Sequence, residues 1–155
     1  MKLSAKAHYG LRSCFLLAQG FPDSMSATAL EKKINVSAKY IEKIMRILNS
    51  RNIITANRGV SGGYYLAREP KAITAGEIVR ALEDDFELTP CINSPCKNCA
   101  TSIVWRKLYD GINDVLNGIT LQNMVDDFNE NELNNPTSDY CGIEDNNEGR
   151  CLKNK

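Results

Sequence analysis

A chain of 155 residues that is 43% hydrophobic has apolar material for one ordinary core, so it needs no disulfide staples to fold, and no apolar run approaches a membrane span. Its net charge is zero but unevenly laid out: residues 1–70 carry 11 Lys+Arg against 4 Asp+Glu (+7), and residues 71–155 carry 8 against 15 (−7). A basic half joined to an acidic half points to a nucleic-acid-facing part and a sensing or pairing part.

In chain order, residues 5 to 20 place Ala7, Leu11, Cys14, Phe15 and Ala18 on one helical face, and Gly20-Phe-Pro-Asp-Ser breaks the helix. The stretch Cys14 to Ala18 is too short for a secretory core and lacks a cleavage pattern, so a cytoplasmic protein is expected. Behind Ser26, the run Ala27 to Ile34 reads as a helix of about two turns. Asn35-Val36 turns the chain, and Ser37 is an N-cap for a helix ending near Asn49-Ser50. That helix carries Ile41, Ile44, Met45 and Leu48 at i, i+3, i+4, i+7 spacing, with Lys39, Tyr40, Lys43 and Arg46 on the opposite side. Two short helices joined this way form a helix-turn-helix.

Two β-prone runs follow, Asn52 to Ala56 and Gly63 to Ala67, around the Gly-rich loop Asn57-Arg-Gly-Val-Ser-Gly62. With this hairpin the motif becomes a winged helix-turn-helix. Thr74-Ala-Gly-Glu77 is a capping box opening a helix to about Leu82. Ser102 or Thr101 can cap a longer helix with the stripe Trp105, Leu108, Ile112 and Val115, a face suited to pairing with its own copy. Thr120 opens a last short helix, Leu121 to about Val125. The expected fold class is mainly α with a small β-hairpin wing. The expected divisions are a DNA-binding part (1–70), a sensing and dimerisation part (71–126) and a disordered polar tail (127–155).

Cys91, Cys96 and Cys99 fall within nine residues of a loop that has one sizeable apolar side chain, Ile92. Glu83, Asp84, Asp85 and Glu87 stand just upstream, so three thiolates here would raise one another's pKa unless a cation sits among them. A metal ion or iron–sulfur cluster would neutralise the thiolates and order the loop. Zinc competes, because Cys96-x-x-Cys99 has knuckle spacing, and a Cys96–Cys99 disulfide switch is a third reading. A thioredoxin-like enzyme is disfavoured, since no βαβ pattern surrounds the pair. Cys14 reads as core, and Cys141 and Cys151 as bystanders in the tail.

The order of parts resembles the Rrf-two family of winged-helix regulators over about residues 1–126. The resemblance rests on Met1-Lys-Leu-Ser, His8-Tyr-Gly-Leu-Arg12, Val36-Ser-Ala-Lys-Tyr-Ile-Glu-Lys43, Arg58-Gly-Val-Ser-Gly-Gly-Tyr64, Ile73-Thr-Ala-Gly-Glu-Ile78 and Trp105. It implies a homodimer that reads a near-palindromic DNA operator. It places base reading on Ser37, Lys39, Tyr40 and Glu42, phosphate contact on Lys43 and Arg46, and the wing residues Arg58 and Gly59 on DNA. Cluster-bearing members, IscR-like and NsrR-like, hold a 2Fe–2S or 4Fe–4S group on three cysteines, which here would be Cys91, Cys96 and Cys99. The gaps of four and two residues between these cysteines are tighter than the roughly five-residue gaps common in the relatives, and two single positions also matter. Ser102 stands where IscR-like members have a histidine ligand, and His8 stands where NsrR-like members have an acidic ligand from the partner subunit. The resemblance therefore makes His8 the candidate fourth ligand.

Overall fold

The computed structural model describes residues 4–57, 59, 62–83 and 99–134. Its elements are α1 (Ala5–Gln19), α2 (Ala27–Ile34), α3 (Ala38–Ser50), β1 (Ile54–Asn57), β2 (Gly63–Leu66), a 3-10 turn (Pro70–Ala72), α4 (Ala75–Leu82), α5 (Ser102–Gly118) and α6 (Leu121–Asn134).

Helix α1 is the central post. Ser4 caps it by accepting the Ala7 N–H at 3.1 Å, and the helix ends before Gly20 and Pro22. It is buried on more than the expected face: Tyr9, Gly10, Ser13, Leu16 and Leu17 are enclosed along with Ala7, Cys14, Phe15 and Ala18. Ser13 is tolerated there because its hydroxyl donates to the Tyr9 carbonyl at 2.8 Å. Gly10 marks where three helices meet. A Cβ there would collide with Leu82 of α4 and lie 3.2 Å from Ile44 Cγ2 of α3.

The helix-turn-helix forms as its sequence dictates. Asn35 adopts a left-handed conformation (φ 61°, ψ 44°) and ends α2, and the Ser37 hydroxyl then receives the Tyr40 N–H to start α3. Ile41, Ile44, Met45 and Leu48 are fully enclosed. The hairpin is antiparallel, pairing Ile54 with Leu66, Thr55 with Tyr65, Ala56 with Tyr64 and Asn57 with Gly63. It starts later than expected because Asn52 (φ 56°) still belongs to the turn after α3. Met25, just before α2, exchanges two 2.9 Å backbone hydrogen bonds with Tyr64, which fastens the wing to the helical body.

Helix α4 opens on a complete capping box. The Glu77 N–H reaches Thr74 Oγ1 at 3.2 Å, and the Thr74 N–H reaches Glu77 Oε2 at 2.9 Å. Burial alone would raise the Glu77 pKa. The Thr74 hydrogen bond and the Arg68 guanidinium, 2.8 Å away, outweigh it and hold the carboxyl below its ordinary value.

Two expectations need correction. Neither Ser102 nor Thr101 caps α5: Thr101 stands at the cap position in right-handed helical geometry with no side-chain cap bond, and its Oγ1 lies 3.3 Å from Cys99 Sγ instead. Helix α6 does not stop near Val125 but runs to Asn134. Met124, Val125 and Phe128 continue the Leu121 face onto the core, and Phe128 meets Phe15 edge-on at 5.3 Å. That burial carries the helix past Asp126 through a polar sequence. Residues 135–155, with Cys141 and Cys151, lie outside the described residues.

Candidate nucleic-acid interface and sensor site

Helix α3 buries its apolar stripe, so its other side is left to solvent. Lys39, Glu42, Lys43 and Arg46 are exposed there, and so is Ser37 at its start. Ser37 is partly committed, since its hydroxyl already accepts the Tyr40 N–H at 3.4 Å. Tyr40 makes a contact inside the protein as well. It is half-buried, with its ring edge-on to Tyr9 at 6.1 Å and 90°.

Between α3 and the wing lies a cleft of about 440 Å³ with Arg46 and Asn49 on one wall and Asn57, Gly59 and Tyr64 on the other. Gly59 has φ +123°, which disfavours any side chain. At Gly62 an added Cβ would sit 2.6 Å from the Asn57 carbonyl oxygen, so the tip can close tightly only with glycine. Tyr64 has its pKa raised by burial and by the Glu42 charge, with Arg46 opposing. The sequence reading missed Asn49, Asn57 and Tyr64 as lining of this cleft. Their common feature, a polar residue at the helix end or hairpin beside the basic face, was available to it. Arg58, Val60 and Ser61 lie outside the described residues.

Of the candidate sensor residues, Cys99 is half-buried three residues ahead of Ser102, and its carbonyl accepts the Ser102 N–H at 3.2 Å. Cys91 and Cys96 lie outside the described residues. His8 is exposed on the first turns of α1, its ring 5.5 Å from Tyr9. Partial burial, then the Arg12 charge, lowers its pKa, which favours the neutral imidazole. Among the described residues, no three His, Cys, Asp or Glu side chains gather to hold a metal ion. Cys14 is fully enclosed, and burial pushes its thiol up to about 12, so it stays an inert core residue.

Helix α5 stands apart, with no buried residue along its length. Ile103, Val104, Trp105, Leu108 and Val115 are exposed, and Leu108, Ile112 and Val115 line a shallow apolar groove of about 300 Å³. No helix among the described residues is long and apolar enough to cross a membrane.

A three-helix core with a docked antiparallel hairpin and a basic, solvent-facing second helix defines a winged helix-turn-helix protein. The particular family follows from comparison: the chain belongs to the Rrf2 family, whose model, described as an iron-dependent transcriptional regulator, matches residues 3–127. A helix-turn-helix transcriptional regulator of Synechocystis is 36% identical over 82% of this chain and 89% of its own. CymR of Bacillus subtilis, the global cysteine regulator, is 31% identical over 81% of this chain and 90% of its own. The solved structure of T. potens IscR superposes with a TM-score of 0.73 at 34% identity, over 85% of this chain and 91% of the other. The chain is a transcriptional regulator of this family.

Proposed function

We propose that this regulator binds operator DNA as a homodimer and that an iron–sulfur cluster on Cys91, Cys96 and Cys99 sets its operator affinity. The observation that carries the reading is the soft donor set: three cysteines within nine residues, the last just before α5, in a chain of the iron-dependent family. The surroundings of Cys99 suit such a group. Among the described residues no side chain caps α5, so the positive end of its dipole would favour an anionic group bound at Cys99. His8 is the proposed fourth ligand, supplied from the second copy; its lowered pKa favours the neutral form that a metal requires. When bound, a cluster would supply reversible oxidation and reaction with nitric oxide, and it would be lost under iron shortage.

The protein's own residues do the rest. Lys43 and Arg46 would contact phosphates, joined on the DNA by the wing residues Arg58 and Gly59, while Ser37, Lys39, Tyr40 and Glu42 stand at the reading end of α3. The bare face of α5 takes the second copy. Arg106 lies four residues before the midpoint of α5 and Asp114 four after it, so a centred antiparallel pair would bring these opposite charges toward each other. A second reading, zinc in the same cysteines, is favoured by the Cys96-x-x-Cys99 spacing.

Anaerobic purification followed by absorption, iron and sulfide assays tests the reading. A chromophore is expected that Cys91→Ser, Cys96→Ser and Cys99→Ser each abolish, that Cys141→Ser and Cys151→Ser leave intact, and that His8→Ala shifts. A colourless protein carrying zinc without labile sulfide would transfer the site to the zinc reading.

A further inference from the structure

A long-range polar contact joins Ser4, the N-cap of α1, to Glu83, the C-cap of α4. The two stand 79 positions apart, and Glu83 Oε1 accepts both the Ser4 N–H at 2.8 Å and the Ser4 hydroxyl at 2.7 Å. That hydroxyl in turn accepts the Ala7 N–H at 3.1 Å, so a carboxylate, a hydroxyl and a helix amide form one relay. Both residues are half-buried. A negative charge at the positive end of α1, through two charge-assisted hydrogen bonds, is stronger than a neutral serine cap needs to be.

The contact sits where it can set a register. Ser4 also accepts the His8 N–H through its carbonyl at 3.2 Å, and the next residue, Tyr9, places its ring against Tyr40 in the first turn of α3. At the crossing of α1 with α4 and α3, Gly10 offers no side chain to lock into its neighbours. Leu82 and Ile44 close into the notch that Gly10 leaves, and the Glu83 grip adds a polar tie at the N-terminal end of the same helix.

We propose that Glu83 is a positioning residue for the recognition helix. By holding Ser4 it fixes the axial register of α1 on α4, and α1 transmits that register to α3 through Tyr9 and Tyr40. The proposal rests on the DNA-reading role of α3 and not on any bound metal. Glu83 is also the last described residue before the segment that carries Cys91 and Cys96.

The test separates positioning from simple capping. Ser4→Asp keeps an excellent N-cap side chain but sets a like charge against Glu83, and Glu83→Gln removes the charge. In the double variant the glutamine amide can donate to the new carboxylate. With full-length protein and a duplex selected from a random pool by the wild type, each single variant should lose roughly 5- to 10-fold in affinity and shift the Tyr40 ring resonances. The double variant should return to within about twofold of wild type, and Ser4→Thr, which keeps the hydroxyl, should bind as wild type. Single variants that bind normally, or a double variant that loses the sum of the two, would overturn the proposal. If the wild type selects no duplex, the DNA-reading role fails instead. The Tyr40 resonances of DNA-free Ser4→Asp protein then decide the contact separately, and unchanged signals refute it.

Discussion

In α3 the stripe Ile41, Ile44, Met45 and Leu48 is completely enclosed, whereas in α5 the comparable stripe leaves Leu108 46% and Val115 61% exposed. Both helices are amphipathic and of similar length, so neither periodicity nor propensity separates them. Surroundings do. Helix α3 lies against α1, α4 and the start of β1. Helix α5 is tied down chiefly by polar links near its C-terminal end: Arg80 donates to Asn113 at 3.1 Å and also to Asn117, and the Ala75 N–H reaches the Ile119 carbonyl at 2.8 Å. An apolar stripe reports that a face needs cover, and it does not say whether the cover comes from the same chain.

The comparison can be broken most sharply in α3. Ile44→Ala should cost about 3 kcal/mol of folding stability, measured by chemical denaturation, because a side chain with no exposed surface leaves a cavity. The companion change in α5, Leu108→Asp, should leave each chain folded and weaken self-association by about 30-fold, or ~2 kcal/mol, in sedimentation experiments. Should Leu108→Asp instead unfold the chain as Ile44→Ala does, the α5 face is covered from within and the contrast between the helices disappears.

A smaller effect is expected at His8, whose side chain belongs to neither stripe. Its imidazole should titrate below the ordinary 6.5, because burial and the Arg12 charge both disfavour the cation. The unfolded chain then takes up the proton more readily than the folded one. Stability should therefore fall slightly as pH drops from 6.5 through the folded value, and level off below it. Nuclear magnetic resonance titration gives the folded pKa, and a His8→Gln variant that keeps the full pH dependence would assign it to another group.

Much of the fold was legible before any coordinates. The bounds of α2, the Ser37 cap, the Asn35 turn and the Thr74–Glu77 capping box all rest on contacts within four residues, and local residue chemistry decides such contacts. The extent of α6 was not legible, because residues 126 to 134 are polar save Phe128 and Leu133, and Phe15, which meets Phe128, is far away in sequence. Nor was the true employment of Thr101, which engages Cys99 and not the helix it precedes. The basic face of α3 could be read from the spacing of Lys39, Lys43 and Arg46. The cleft wall made by Asn49, Asn57 and Tyr64 needed the hairpin folded back on the helix.

By itself the sequence determined the helix-turn-helix, the wing, the position of the cysteines and the family to which they belong, since each is written in short-range spacing or in motif. The tertiary structure alone decided which stripes find cover, that Gly10 is the point where α1, α3 and α4 touch, and that Glu83 grips Ser4 across most of the described chain. Packing and long-range hydrogen bonds join residues with no neighbourhood in sequence, and local pattern carries no record of the partner a side chain will meet once the chain is folded.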